Sequence, residues 1–447
     1  MTRDVAIESL LPAALPPNRP TALFLQGRAI GVRRLELVVE GVAHRAAATR
    51  MPRPDLGQAA GWWAVVPVPG GADGEMIALS ARADGEEVEL GRIPVAALPA
   101  APASGRATTA PLIAVCMATY EPDPELFARQ VESLRAQTDT DWVCVISDDG
   151  SGPEAVAAME AVLGGDERFS VSRAPERQVF YRNFERALNL APADAQLVAL
   201  ADQDDVWYPD KLASLRAALG AAPLAYSDQR LVTRDGEVLR ETMWVGRRAN
   251  HEDMASLLVA GGVTGAAMLM TREVADLAVP FPDTPGMDFH DHWLALTALS
   301  IGDIAYVDRP LYDYVQHRSA VFGGQARDTG LERQGWALRW RSAYFGGYLQ
   351  RAVFAQALLA RFGDRMSAAR RRALRRYLGA QRNPLAWAWL AARTLRPLIG
   401  RTETVGSEGE LALGLLWRRA ARVGRDSRCP DSWTFSQKRL RRWRWQA

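Results

Sequence analysis

Between residues 20 and 98, stretches such as TALFLQG, RRLELVVEG, WWAVVPVP and MIALSARA alternate apolar and polar positions and are separated by Gly, Pro and Asp clusters. A period of two sends successive side chains to opposite faces of a strand, so this part reads as all-β. Roughly seven strands in so short a segment close most naturally as a small antiparallel sandwich. It carries no catalytic pattern and is expected to be an accessory or carbohydrate-contacting module. At 99–110 the sequence PAAPASGRATTA loses all apolar periodicity, which marks a linker. Beyond it the apolar runs LIAVCMA (112–118), WVCVISD (142–148) and AQLVALAD (195–202) alternate with helix-patterned stretches at 124–137, 153–163 and 180–190. Unbroken apolar strands are those buried on both faces, so this middle part is expected to be α/β, a parallel sheet covered by helices. The expected divisions are a β-sandwich-like domain at 1–98, the linker at 99–110, the α/β domain at 111–325 and a helical region at 326–447.

In open α/β sheets the ligand site lies beyond the carboxyl ends of the strands. Those ends carry Thr119-Tyr120-Glu121, Asp148-Asp149-Gly150-Ser151 and Asp202-Gln203-Asp204-Asp205. Mg²⁺ or Mn²⁺ takes oxygen ligands, commonly one or two protein carboxylates with phosphates completing the shell, and the last of these loops can supply them. A solvated turn capping the helix that starts near Pro209 is the competing reading, but three carboxylates in four residues exceed what a cap requires. Asp148 and Asp149 form either an Asx turn or carboxylate contacts to a base or ribose. Asp291 can act as the base for an attacking hydroxyl, or merely cap the helix that continues as WLALTALS. His290, His292 and His317 are three of only five histidines. A hydrolase metal cluster built from them would leave the three acidic loops without a role, and His292 is expected to be a hydrogen-bonded structural residue. Neither a Gly-x-x-x-x-Gly-Lys-Ser/Thr loop nor a Gly-x-Gly-x-x-Gly fingerprint occurs, which argues against an ATPase or a dehydrogenase.

Composition adds two constraints. Cys116 and Cys144 lie inside apolar runs, where thiols behave as small buried hydrophobes, so a reducing compartment is expected. The N-terminus has acidic residues and prolines where a signal peptide needs a basic start, and the longest apolar runs fall short of the roughly 20 residues of a membrane span. The net charge of +2 conceals a split: 331–447 holds 25 Lys and Arg against 7 Asp and Glu, with eight of the 14 tryptophans. Arginine and tryptophan on amphipathic helices suit an anionic membrane surface. A plain packing domain is the alternative, and no nucleic-acid module is recognisable. The expected location is cytoplasmic, peripheral at the inner face of the cell membrane.

The series VCMATYEPDPELFARQVESLRAQT, VISDDGS, YRNFERALNLA, LADQDDVWYPDKL, VTGAAMLM, FHDHWLAL and IAYVDRPLYDYVQH resembles, in this order, the bacterial family 2 glycosyltransferases. These have the GT-A fold, a Rossmann-like nucleotide-diphospho-sugar transferase domain, and the likeness is strongest to those described as rhamnosyltransferase-like. It covers about 111–324. It implies that Tyr120, Asp148 and Asp149 contact the nucleotide base and ribose, with Thr119, Glu121 and Gln203 in the same loops, and that Arg182 lies near the nucleotide or its phosphates. Asp202 and Asp204 match the DxD pair that holds ribose and metal, Asp204 being the metal ligand. Asp291 matches the general base, and His317 a histidine near the diphosphate or metal. Glu121-Pro122 stands where relatives usually have Asn-Gly, and His292 where an aromatic residue is common. The implied activity is metal-dependent, inverting transfer of a hexose or deoxyhexose from a nucleotide-diphosphate donor to a glycan or lipid-linked acceptor in cell-surface polysaccharide synthesis. A carbohydrate-binding or assembly protein that keeps the fold without catalysis is the alternative.

Overall fold

The computed structural model describes residues 4–9, 11–53, 56, 58–96, 101–243, 250–284, 289–316, 343–401, 404 and 406–420. The period-two alternation of the N-terminal part becomes two antiparallel four-stranded sheets. One has the order β1 (Asp4–Ile7), β2 (Thr21–Ile30), β6 (Gln58–Val68), β5 (Ala48–Arg53). The other has the order β4 (Val42–Arg45), β3 (Leu35–Val39), β7 (Met76–Ala83), β8 (Glu86–Pro94). Leu23, Leu25, Trp62 and Val66 of the first sheet meet Leu37, Val39, Leu79 and Ala81 of the second in a core of their own. The alternate residues of the same strands, Ala22, Phe24 and Trp63, point the other way into a second, larger core shared with the rest of the molecule. Adjacent tryptophans thus serve two cores, as a period of two requires.

The stretch at 101–110 is irregular and tied down at both ends. The Ser104 amide and hydroxyl donate to Asp194 at 2.9 and 2.7 Å, and Thr109 and Ala110 donate to Asp141.

The third sheet runs β11 (Phe169–Arg173), β10 (Trp142–Asp148), β9 (Ile113–Thr119), β12 (Leu197–Ala201), β16 (Met268–Thr271), β14 (Leu224–Thr233), β17 (Ile304–Gln316), β13 (Val206–Trp207), with β15 (Val238–Arg240) beside β14. The α/β class expected from the pattern is present, but the sheet is mixed rather than parallel. β16 is antiparallel to both β12 and β14. Three apolar residues before the threonine at the helix junction carry no periodic signal, so its direction could not be read. Side chains on the two faces of β9 alternate: Ile113, Val115 and Met117 pack with α1 (Pro124–Arg135), α2 (Pro153–Leu163) and α4 (Lys211–Leu219), whereas Ala114 and Cys116 face α3 (Val179–Asn189) and α7 (His290–Ile301). Cys116 and Cys144 are buried free thiols, and burial pushes Cys116 up to about 12.

α5 (Met254–Val259), α6 (Arg272–Ala278) and the C-terminal helices α8 (Gln350–Phe362), α9 (Ala368–Gly379), α10 (Pro384–Ala392) and α11 (Ser407–Ala420) extend the larger core. Many basic residues of this region turn inward. Arg361 donates to the carbonyls of Ala22, Ala278 and Pro280 and lies over the Trp293 ring; Arg351 donates to the carbonyls of Val259 and Gly347. Trp387 donates to the Ala412 carbonyl and is half-buried. The helical region is therefore a structural wall of the larger core as well as a charged surface. Among the described residues no helix is long and apolar enough to cross a membrane.

Candidate active site

Register places the three acidic loops at one edge. Asp148 pairs opposite Thr119 across β10 and β9, and Ala201, the last residue of β12, pairs with Met117. The buried Asp148 carboxylate accepts from the Thr119 hydroxyl (3.3 Å), the Ser151 amide (3.0 Å) and the Ser151 hydroxyl, with Arg173 at 3.7 Å. It closes an Asx turn through Gly150, whose φ of +85° suits a residue without Cβ. Asp149 accepts from the amides of Gln178 (2.6 Å) and Val179 (2.8 Å), the first amides of α3; burial raises its pKa. Glu121 accepts from the Gly152 amide at 2.7 Å, and its own amide donates to Ser151 Oγ. Gln203 exchanges hydrogen bonds with the Tyr120 backbone, at 2.8 and 3.3 Å. The exposed Tyr120 ring carries the Arg177 guanidinium 3.7 Å from its centroid, and Arg177 lies 4.0 Å from Asp149. Thr119, Tyr120, Glu121, Asp148, Asp149 and Gln203 are thus one hydrogen-bonded cluster. Its Glu121 has φ +43°, and Val179, whose amide donates to Asp149, has φ +70°, a genuine outlier for a β-branched residue.

Arg182 does not join this cluster. Its guanidinium is taken by Glu185, by Asp283 at 2.5 Å and by the Phe281 carbonyl at 3.0 Å. The cations beside the loops are instead Arg177, Arg173 and Arg186, which donates to Ser147 Oγ and to the Ser172 hydroxyl and carbonyl.

In the acidic loop Asp202, Gln203 and Asp204 are half-buried and Asp205 is wholly buried. Asp205 Oδ1 accepts from the Val315 amide at 3.4 Å, while Oδ2 has no partner among the described residues. Beneath lies Lys211, fully buried, its Nζ 3.4 Å from the Trp207 ring centroid and 4.3 Å from that of Tyr312, donating to the Ala266 carbonyl. Burial holds Lys211 well below the usual lysine range. Burial pushes Asp202 up to about 7, with the charges of Asp204 and Asp291 adding to it. Carboxylates that repel one another at a half-open edge have the chemistry of a divalent-cation site. Among the described residues no group of three His, Cys, Asp or Glu is placed to hold a metal ion by itself.

Across from this loop, Asp291 sits in the first turn of α7 and accepts from the His292 amide at 2.6 Å; burial pushes it up to about 6. Helix and neighbouring loop meet through Gly265, where a Cβ would lie 2.6 Å from His290 Nε2. His290 stacks on Phe184 with centroids 3.8 Å apart, and burial lowers it to about 3, so the ring is neutral. His292 bonds the Leu257 carbonyl at 2.7 Å and meets Phe354 edge-on. The two rings serve different packings, so His290 and His292 form no shared metal site. His317 lies outside the described residues.

Sequence reasoning overlooked Arg177, Lys211 and Gly265. Lys211 and Gly265 lie inside two of the quoted motifs, LADQDDVWYPDKL and VTGAAMLM, closely enough to have been suspected; nothing in the chain marks Arg177.

Residues 114–276 match the family described as Glycosyl transferase family 2, so the resemblance read from the motifs holds over this segment. Succinoglycan biosynthesis protein ExoW of Rhizobium meliloti is 36% identical over 103 residues, 22% of this chain and 31% of that protein. Uncharacterized protein y4gI of Sinorhizobium fredii is 28% identical over 135 residues, 29% of this chain and 15% of that protein. The chain thus spans less than a third of either relative. Among solved structures, S. aureus TarS 1-349 in complex with UDP-GlcNAc aligns at 16% identity and a TM-score of 0.41, over 69% of this chain and 92% of that one. The mannosyltransferase PcManGT from Pyrobaculum calidifontis, in complex with GDP-Man and Mn²⁺, aligns at 17% identity and a TM-score of 0.38, over 72% and 90%.

Proposed function

We propose that the chain is a metal-dependent, inverting glycosyltransferase that moves a hexose or deoxyhexose from a nucleotide-diphosphate donor to a hydroxyl of a glycan or lipid-linked acceptor in cell-surface polysaccharide synthesis. The observation that supports this reading most is that the acidic loop and Asp291 meet through one stretch of chain: Gly265 lies against His290 and Asp291, and the next residue, Ala266, accepts through its carbonyl from Lys211 beneath the loop. Carboxylates for a cation and a separate carboxylate for the acceptor proton are what such a displacement needs.

The Tyr120 ring, backed by Arg177, offers a flat face on which a nucleobase stacks, and the Asp149 turn fixes the loop beside it. Asp204, with Asp202 next to it, would hold Mg²⁺ or Mn²⁺. Such an ion supplies Lewis-acid stabilisation of the diphosphate leaving group. Asp291 accepts the proton of the acceptor hydroxyl as its oxygen bonds to the anomeric carbon and the bond from that carbon to the diphosphate breaks. A single displacement with the base opposite the leaving group inverts the anomeric centre. Its pKa near 6 keeps the carboxylate ionised at neutral pH and basic enough to act. Arg182, engaged by Glu185 and Asp283, has a positioning role for α3 in this scheme. The cytoplasmic face of the membrane, where nucleotide sugars and lipid carriers meet, is the location that suits it.

The test is release of nucleoside diphosphate from a panel of UDP-, GDP- and dTDP-sugars with Mg²⁺ or Mn²⁺. Asp204→Asn is expected to lose most metal-stimulated release while remaining folded; undiminished activity with the same metal dependence sinks the metal assignment. A wild-type protein that binds sugars yet releases nothing from any donor is the non-catalytic alternative, and a product of retained configuration overturns single displacement.

A further inference from the structure

From Pro384 to Gly400, along α10 and the 3-10 helix Arg393–Ile399, the exposed positions are Pro384, Leu385, Ala388, Ala392, Leu395, Pro397, Leu398, Ile399 and Gly400. Not one carries a polar side chain. Leu385 and Leu398 are 81% exposed, Ile399 77% and Leu395 59%. The spacing 385, 388, 392, 395, 399 is helical, so these residues form a continuous outward stripe. The charged residues of the same segment face the other way: Arg393 binds Asp253 at 2.8 Å and Glu408 at 3.3 Å, and Arg396 and Arg393 both donate to Ser256 Oγ. An ordinary surface helix has the reverse arrangement. The neighbouring α11 adds the partly exposed Leu413 and Leu416.

Beside the stripe runs a groove of about 420 Å³ between α9 and α10, lined by Arg371, Arg372, Arg375, Arg376, Asn383 and Ala386. Arg372, Arg375 and Arg376 are exposed. An apolar crest flanked by unburied guanidinium groups is complementary to one kind of surface, a bilayer with anionic headgroups above an acyl interior. We infer that the face made by Leu385, Leu395, Leu398 and Ile399 with the α9 arginines docks the protein on an anionic phospholipid leaflet. This rests on the reading of the acceptor as membrane-borne and says which face meets it. The inserted side chains are leucine and isoleucine; Trp387 and Trp389 are half-buried against the core and are not the anchors.

The crest is coupled to the acceptor side of the site. Arg393 and Arg396 grip Asp253, which caps α5 through the Ser256 amide, and the chain leaving α5 passes Gly261, against His292, to Gly265, against His290 and Asp291. The docked element and the base are thus joined by one short, packed stretch of chain.

The test uses the full chain and sedimentation with phosphatidylcholine vesicles with and without phosphatidylglycerol, at low and high salt. Wild type is expected to prefer the anionic vesicles and to lose that preference in salt. Leu395→Asp with Leu398→Asp should weaken binding about tenfold or more per leucine. Arg372→Gln with Arg375→Gln should weaken it roughly fivefold per arginine at low salt only. Equal binding to both vesicles, binding to neither, or crest variants that bind like wild type overturns the proposal. So does a wild-type dimer in sedimentation velocity that the crest variant converts to monomer with vesicle binding unchanged, which makes the face a contact between copies. Donor hydrolysis in the same samples separates the two readings. Crest variants that lose vesicles should release nucleoside diphosphate at the wild-type rate, whereas a wild type that binds vesicles and releases none refutes the catalytic reading and leaves the docking face standing.

Discussion

The acidic sheet edge and the basic C-terminal helices treat buried charge in opposite ways. At the edge, burial pushes Asp202 and Asp291 up to about 7 and 6, and at Asp202 the charges of Asp204 and Asp291 add to it while the buried Lys211 offsets only part. In the helices, Arg393 is 11% exposed and is met by two carboxylates, and Arg361 lies over Trp293 with three carbonyls around it. The fold completes its own charges where they are structural and leaves them incomplete where a ligand is to complete them. Removing a charge should therefore have opposite consequences in the two regions.

The largest effect is expected from Asp291→Asn, at least ~10²-fold in turnover, with donor binding by calorimetry nearly unchanged. The wild-type rate should fall on an acid limb centred near pH 6, as the base protonates. Stability follows from the sign of the shift. A carboxyl whose folded pKa lies above its unfolded value of about 4 contributes stability that is present in acid and lost as pH rises through about 6. The Asn variant should consequently melt no lower than wild type at pH 7, and a clear drop in its Tm would contradict the account of Asp291 as an uncompensated charge.

Arg393→Ala is the counterpart in the helices. It strands the fully buried Glu408 and takes one of two arginines from Asp253, and should cost about 3 kcal/mol in denaturant unfolding. A loss within experimental error would mean that these charges are not held as described. The smallest effect is expected at Val179→Gly. The left-handed φ costs a β-branched residue about 1–2 kcal/mol, and the looser unfolded chain of glycine offsets part of the relief. A gain of about half a kcal/mol is expected, with a weaker apparent affinity for donor if the strain holds the Asp149 turn in place; a loss of stability would show that the strain is relieved elsewhere.

Much of the sheet edge was legible because its signals are local. Ile113–Thr119, Trp142–Asp148 and Leu197–Ala201 lie within two residues of the apolar runs that announced them, and the polar loops follow directly. Asp291 could be assigned to a helix start because an apolar helical run follows it. What was not legible depends on contacts distant in the chain. Arg182 and Arg186 stand four apart on α3, and nothing in the sequence says that the first turns to Asp283 and the second to Ser147 and Ser172. Arg177 belongs to a stretch without periodicity and matters only because it lands on Tyr120. The 384–399 run was visible as apolar and interrupted by arginines, but which side faced out could be decided only by Asp253, about 140 residues upstream.

Trp62 and Trp63, side by side on one strand, also set an order of events during synthesis. The core that Trp62 enters is complete once the first hundred or so residues have emerged, and the sandwich can close at once. The face that carries Phe24 and Trp63 cannot, because the helix that covers it begins at Gln350, and the Ala22 carbonyl meets Arg361 across a separation of 339 residues. At about 5–20 residues per second the closed sandwich holds that face open for roughly 12 to 50 seconds before its partner is made. A nascent chain therefore displays a folded module with an aromatic sheet surface still open to water, and the helix Gln350–Phe362 acts as the clasp that withdraws that surface from other chains.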